Sequence, residues 1–297
     1  APIVDLMHMK NIKKVVIPVA GFGTRFLPAS KSIPKEMFPI IDKPLIHFAV
    51  EEAISAGIRD VIFVISRNKN SVIDYFDRSP ELENELEKKG KKNLLNSLKA
   101  LQSNKINFFF VRQKKLSGVG DAILCTEKII NNEPFAIMFP DDLIKSKTGC
   151  LFSMIKIFND TTSSIVAVER VLKKDVSKYG IVTCKSRRSK VSEISSIVEK
   201  PKPHKAKSNL GVVGRFILDP NIFKILKKTK PGHGNEIQLT DAINELASTK
   251  DVLAYEFDGT RYDCGSKLGF LKATLSYAKD HPDVKKDFMK IIKKNDF

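Results

Sequence analysis

Tryptophan is absent from this chain of 297 residues, cysteine occurs four times and histidine five times. The missing tryptophan excludes nothing by itself. The cysteines (Cys125, Cys150, Cys184 and Cys264) form no C-x-x-C pair, and the scattered histidines give no zinc spacing. Cys125, Cys150 and Cys184 sit in or beside apolar segments, which predicts reduced, mostly buried thiols and a cytoplasmic protein. No apolar run is long enough to span a membrane; the longest lie near VVIPVA and VIFVI. Residues 1–9, APIVDLMHM, lack the basic and apolar regions of a signal peptide. They read as a leader outside the folded domain, with Met9 the expected native start. Internal repeats and low-complexity linkers are also missing, so residues 10–297 are expected to form one domain.

Acidic residues are in deficit: 34 against 51 lysines and arginines, a formal charge of +17. Such a field attracts anions and speeds their encounter. Nucleic acid is one candidate partner, and a triphosphate together with a sugar phosphate is another. The basic clusters at Lys88–Lys92, Lys185–Lys190, Lys227–Lys230 and Lys285–Lys294 are spread along the chain without an RNP motif or an aromatic-interleaved stripe. Most of these lysines read as solvated surface, and no nucleic-acid or membrane partner is expected.

The most informative stretch runs from Val15 to Pro39, VVIPVAGFGTRFLPASKSIPKEMFP. Val15, Val16, Ile17 and Val19 suit a strand covered on both faces. Ala20, Gly21 and Gly23 follow with little side-chain bulk, so backbone N–H groups there can approach an anion. Arg25, Lys31 and Lys35 come next. A dinucleotide fingerprint would need a third glycine where Phe26 stands, and the chain has no Gly-Lys-Ser/Thr tripeptide for a P-loop. A triphosphate cradle of another kind remains, against the plainer reading of a tight turn with surface lysines.

Strands and helices alternate along the chain. Strands are expected at Val15–Val19, Val61–Ile65, Asn107–Val111, Phe135–Phe139 and Ser164–Val168, and shorter ones at Gly180–Lys185, Val191–Glu199 and Val212–Leu218. Helices are expected at Leu45–Ala56, within Pro80–Leu101 with a break at Gly90, and at Gly118–Thr126, Leu151–Asn159, Gln238–Ala247 and Lys267–Lys279. This alternation predicts an α/β fold of three layers around a mixed, mainly parallel sheet. It carries a helical insertion near 80–102, a small β-rich part near 175–265 and a C-terminal helical tail near 266–297. Leu268, Leu271, Leu275 and Ala278 form an apolar stripe whose default is core packing, with a subunit interface as the alternative.

Carboxylates after strand ends are where ligands of such sheets bind. Asp141 and Asp142 follow the apolar run PFAIMFP, and Asp263 lies in YDCGSKLG. Each could help hold Mg²⁺, which takes one or two carboxylates plus substrate phosphates, or simply cap a turn. Glu199-Lys200-Pro201 pairs a hydroxyl acceptor with a compact cation, which suits a phosphorylated sugar; a surface ion pair is the alternative.

Together these strings resemble the sugar-1-phosphate nucleotidylyltransferase family, and within it the bacterial UTP–glucose-1-phosphate uridylyltransferases. Gly21, Gly23, Thr24, Arg25, Pro28, Lys31, Pro34, Lys35 and Glu36 match the signature, and further matches run to about Leu271. The resemblance implies a Rossmann-like nucleotidyltransferase fold. It also implies transfer of a uridylyl group from UTP to glucose 1-phosphate, giving UDP-glucose and pyrophosphate. Mg²⁺ is the implied cofactor, on Asp141 and Asp263, with Asp142 a second choice. Ala20, Gly21, Gly23, Thr24 and Glu36 would hold the nucleotide, and Arg25 and Lys35 would neutralise the departing phosphates. Gln113 and Gly118 would surround uracil, the Gln113 amide offering one donor and one acceptor. Many relatives carry histidine or threonine where this chain has Asp121. Tyr179, Gly180, Glu199, Lys200, Asn209 and Gly214 would bind the sugar phosphate, with Lys200 steering the attacking oxygen. Glu236 and Asp241 read as structural or capping residues. A homo-oligomer, dimer or tetramer, is implied. Thymidylyl or cytidylyl transfer, or a non-catalytic nucleotide- or sugar-phosphate-binding module, remain the alternatives.

Overall fold

Nine strands form one sheet, and the two longest apolar runs in the sequence supply two neighbouring strands within it. The computed structural model describes residues 12–101, 105–185 and 189–294; the leader at 1–9 and part of the basic cluster at 185–190 lie outside them. Strand β1 (Lys14–Pro18) leads into the glycine loop and then a short hairpin, β2 (Pro39–Ile40) and β3 (Lys43–Pro44). Helix α1 (Leu45–Ser55) buries Leu45, Ile46, Ala49, Val50 and Ala53 on one face. It stops at Gly57, whose φ of 94° lies in the left-handed region favoured by glycine.

Strand β4 (Asp60–Ile65) is followed by α2 (Asn70–Phe76), α3 (Pro80–Lys88) and α4 (Lys92–Lys99), with the expected break at Gly90 (φ 65°). Then come β5 (Asn107–Arg112), α5 (Val119–Leu124), α6 (Glu127–Ile130), β6 (Phe135–Met138), β7 (Asp142–Lys145), α7 (Cys150–Thr161) and β8 (Ser164–Arg170). The later part holds β9 (Gly180–Cys184), β10 (Val191–Glu199), β11 (Leu210–Leu218), α8 (Ile222–Leu226), α9 (Leu239–Ala247), β12 (Val252–Glu256) and β13 (Thr260–Asp263). Helices α10 (Lys267–Ala278) and α11 (Lys285–Lys294) close the described chain.

The sheet order is β5-β4-β1-β6-β11-β8-β12-β10-β9. The β5–β4, β4–β1, β1–β6 and β8–β12 pairs are parallel; the other four neighbouring pairs are antiparallel. The parallel share is therefore smaller than the alternation suggested. The causes are β11 and β10, each of which runs antiparallel to both of its neighbours. The segment around 175–265 adds β9 to β12 to this same sheet. Apolar clusters cover both faces, one built on Val15, Ile17, Phe63 and Met138, the other on Val16, Ile62, Phe135 and Phe216. The period of two along β1 sends alternate residues into the two clusters. Each fully buried side chain of this size is worth roughly 1.5–3 kcal/mol.

Two expectations fail here. Cys125 is exposed; the buried thiols are Cys150 and Cys264. The stripe on α10 is not core: Leu268, Leu271 and Leu275 are 62%, 53% and 38% exposed, while Ala273 and Ala278 take the buried positions. The sequence shows an apolar face but not whether anything covers it. Among the described residues no helix is long and apolar enough to cross a membrane.

One buried charge pair ties the sheet to its helices. Arg215 on β11 is wholly buried and bonds Glu52 of α1 at 2.8 and 3.2 Å. It also donates to the carbonyls of Phe139 and Gly214, at 3.1 and 2.9 Å. Glu52 in turn accepts the Leu151 N–H of α7 at 3.0 Å. Removing one partner leaves a buried charge uncompensated, which costs about 3–5 kcal/mol. Arg215→Met is therefore expected to lose about that much stability in urea unfolding, and a loss near zero would show that Glu52 recovers solvent or a new partner.

Candidate active site

The backbone of the glycine loop has the form of an anion cradle. Among the described residues, the N–H groups of Ala20 through Arg25 donate no hydrogen bond, whereas the flanking Val19 and Phe26 N–H groups bond Val64 and Gly23 carbonyls. Six consecutive unpaired donors are available to a ligand. The loop is held from behind: Ser66 Oγ donates to the Ala20 carbonyl at 2.7 Å, and Lys69 Nζ to that of Gly21 at 2.9 Å. Gly23 has φ 65°, and a Cβ there would stand 3.0 Å from Lys35 Cβ. Its lack of a side chain thus lets the Lys35 stem pass beneath the loop.

Two cavities open along the edge of this loop. The smaller, of about 280 Å³, is lined by Ala20, Gly21, Lys35, Glu36, Gln113 and Gly118, among others. The larger, of about 980 Å³, is lined by Arg25, Tyr179, Gly180, Glu199, Lys200 and Asp263, among others. Val119, Phe139, Asp141 and Glu236 line both, so the two cavities adjoin and Asp141 stands at their junction. A third cavity, about 680 Å³, contains none of the residues expected from the sequence.

At the junction Lys35 Nζ bonds Asp141 Oδ2 at 2.5 Å. Burial opposes both charges, yet each holds the other: Asp141 lies below the usual carboxylate range and Lys35 above the usual ammonium value. Asp263 comes to the same place through β13, which pairs antiparallel with β7 and sets Asp263 opposite Asp142. A Cβ on Gly265 would stand 3.0 Å from Asp141 Oδ2 and 3.0 Å from Asp263 Oδ1. The two oxygens therefore cannot be more than twice that distance apart. The same point lies 3.3 Å from Arg25 Nη1. Two carboxylates around an empty Cβ position make a donor set of hard oxygens that fits a divalent cation completed by ligand phosphates. Cys264, between them in sequence, is buried, and its thiol is pushed up to about 12 by that burial and the neighbouring carboxylates, so it is no nucleophile near neutral pH.

Asp142 is committed elsewhere. Its Oδ1 bonds Arg261 at 2.5–2.6 Å and its Oδ2 accepts the Gly214 N–H at 2.8 Å. Arg261 also bonds Glu169 at 2.6 Å and lies over the Tyr179 ring, 5.3 Å from its centroid. A Cβ on Gly214 would meet Phe139 Cβ at 2.5 Å; this glycine serves close packing beneath the larger cavity.

In the larger cavity, β9–β10 register sets Glu199 opposite Gly180. Glu199 Oε2 accepts from Thr240 Oγ1 at 2.8 Å, and its Oε1 is 3.5 Å from Lys200 Nζ. Lys200 has φ 43°, a left-handed conformation strained for lysine and typical of residues held for a purpose. Its N–H is anchored on the Tyr179 carbonyl at 3.0 Å. Asn209 lies apart: its amide bonds the Val171 carbonyl at 3.1 Å, and it lines neither cavity. Gly23, Thr24 and Lys31 also line neither, and Arg25 faces the larger cavity beside Gly265 rather than the smaller one.

Glu36 is buried, its Oε1 paired with Lys69 at 2.7 Å and its Oε2 without a partner among the described residues. Burial raises its pKa despite Lys69. Lys69, Thr240, Arg261 and Glu169 all shape the site and were not anticipated. Each sits in an ordinary-looking segment, so only a partner distant in sequence gives it meaning. Glu236 was read as structural, and it lines both cavities.

An open-sheet α/β fold with a glycine cradle and an acidic pair at adjoining cavities defines a phosphate-transfer class of site. The chain belongs to the Nucleotidyl transferase family, whose model matches residues 14–280. The chain is 46% identical over 289 residues to the UTP–glucose-1-phosphate uridylyltransferase of Staphylococcus haemolyticus, covering 97% of this chain and 100% of that protein. A UDP-glucose pyrophosphorylase complexed with UDP-glucose superposes with a TM-score of 0.83 at 47% identity, covering 91% of this chain and 100% of that one. A UTP-bound UGPase from Acinetobacter baumannii gives 0.87 at 43% identity, covering 95% and 98%.

Proposed function

We propose that this protein transfers the uridylyl group of UTP to glucose 1-phosphate, giving UDP-glucose and pyrophosphate. The observation that carries the reading is Asp141, shared by a cavity behind the phosphate cradle and a second cavity holding Glu199 and Lys200. Relatives named for this reaction, and solved with UTP or UDP-glucose bound, support it.

The second pKa of a phosphate monoester is about 6, so glucose 1-phosphate is mostly a dianion at neutral pH. One of its oxygens attacks the α-phosphorus of UTP. The bond from that phosphorus to the β-bridging oxygen breaks, and pyrophosphate leaves with the electron pair. No base is needed; the barrier is the approach of two anions and the charge on the leaving group. Positioned cations and donors therefore supply most of the catalysis. The free N–H groups of residues 20–25 and the Lys35 ammonium receive the triphosphate. Lys200 holds the sugar phosphate, while Glu199, fixed by Thr240, accepts bonds from sugar hydroxyls. Arg25, at the mouth of the larger cavity, adds positive charge. Asp141 and Asp263 are the residues that would hold Mg²⁺. Held there, Mg²⁺ would supply positive charge to offset that of the phosphates.

The buried thiols suit a reducing, cytoplasmic setting. Self-association as a dimer or tetramer would use the exposed leucine face of α10. The test is a pyrophosphate-release panel of four nucleoside triphosphates against several sugar 1-phosphates, with Mg²⁺. UTP with glucose 1-phosphate is expected to give the highest kcat/KM. No release with any pair would leave a binding module, and a different best pair would reassign the substrates.

A further inference from the structure

The Gln113 amide has only one orientation open to it. Gln113 is buried at the end of β5, with its N–H on the Ile65 carbonyl at 2.9 Å. Its Nε2 donates to the Gly118 carbonyl at 3.1 Å and to Asp121 Oδ2 at 2.7 Å. An amide nitrogen has two hydrogens, and both are thus used. A carbonyl and a carboxylate can only accept, so a turned amide would put oxygen against two acceptors. Among the described residues Gln113 Oε1 accepts no hydrogen bond, yet it is not one of the buried, unsatisfied atoms. Gln113 lines the smaller cavity, and its free oxygen is open to it.

The acceptors are themselves fixed. Gly118 has φ 103°, and a Cβ there would collide with the Ile237 carbonyl at 2.7 Å. The Gly120 N–H bonds that same carbonyl at 2.8 Å, and this sets the start of α5 and hence Asp121.

We propose that Asp121 is a positioning residue that locks the Gln113 amide with its carbonyl toward the nucleotide, so Gln113 offers the base an acceptor and no donor. The expected pairing of one donor and one acceptor is thereby corrected. The inference rests on the reading of the smaller cavity as the nucleotide site. The uracil N3 carries a hydrogen and can donate to that oxygen. The cytosine N3 carries none and presents a lone pair to it, which leaves two acceptors facing each other, unpaired. Asp121 therefore acts through Gln113 to favour UTP over CTP.

The test compares kcat/KM and calorimetric Kd for UTP and CTP in wild type, Asp121→Ala and Asp121→Asn. Alanine frees one amide hydrogen and lets the amide turn. It is expected to raise the CTP-to-UTP preference about tenfold, a base-reading effect of ordinary size. Asparagine keeps a carbonyl acceptor and is expected to leave the ratio within about twofold of wild type. A merely structural role would weaken both nucleotides in parallel; an unchanged ratio in the folded alanine variant overturns the proposal. The Kd ratio moving without any turnover in the wild type would uphold Asp121 and sink only the reaction. A measurement without variants follows the Gln113 side-chain amide by NMR in ¹⁵N-labelled wild type. Both protons should stay hydrogen-bonded on adding UTP, and release of one to the base would overturn the assignment.

Discussion

Replacing Asp263 by asparagine is expected to lower kcat by about 10²- to 10³-fold while the fold stays intact, the size seen when one group aimed at developing charge is removed. Asparagine matches the shape, and its oxygen can still accept the Gly265 N–H, which Asp263 Oδ1 takes at 3.1 Å. What it removes is one of the two negative charges around the empty Cβ position of Gly265. Asp141→Asn should lose a similar factor, and it additionally strips Lys35 of its partner. Pyrophosphate release at saturating UTP, glucose 1-phosphate and Mg²⁺ reads the effect, with thermal unfolding as the check on folding. Turnover within a few-fold of wild type would take Asp263 out of the site.

Lys35→Met carries the second large effect, with a signature in pH. Methionine keeps the apolar stem that packs beneath Gly23 but deletes the cation beside Asp141. Turnover should fall about 10²-fold or more, because a preorganised charge facing the departing phosphates is gone. In the wild type the Asp141 carboxyl is held below its ordinary value of 3.8; burial opposes this and Lys35 outweighs it. Its stabilisation is therefore present above that value and is lost as pH falls through the lowered one. Without Lys35 the largest influence opposing burial is gone, and only the backbone hydrogen bond at Asp141 and the charge of Arg261 still offset burial. The folded variant then carries an unpaired, largely buried carboxylate at neutral pH and is relieved as that group takes up a proton. The stability gap between wild type and variant should be widest near neutrality and narrow as pH drops through the carboxylate range. Urea midpoints across that range test it, and a gap independent of pH would mean that Asp141 finds another cation, with Arg261 nearest in charge.

Much of the site was legible because its parts are local. The cradle needs a buried strand followed by small residues, and Val15 through Gly23 carry both within one stretch. Glu199 and Lys200 are neighbours, so their pairing at a strand end could be read directly. Asp141 followed an unmistakable buried strand. Other assignments depended on partners far away in sequence. Asn209 read as a sugar ligand, and in the fold its amide donates to the Val171 carbonyl while the residue lines neither cavity. Asp142 read only as a second choice for the metal, and in the fold it is bonded by Arg261, 119 positions later. Asp121 looked like an unexplained departure until it reached Gln113.

The sequence by itself determined the α/β alternation, the loop of small residues that follows the first buried strand and the list of charged residues near it. These depend on hydrophobic period, glycine permissiveness and residue chemistry, all of which act over a few residues. Only the tertiary structure decided which charges meet. It joined Asp141 to Asp263 through the β7–β13 pairing, set two cavities on either side of Asp141, and turned Gln113 into a pure acceptor. The physical reason is that charge and hydrogen bonding act over a few ångströms in space, and chain folding, not sequence spacing, sets those distances.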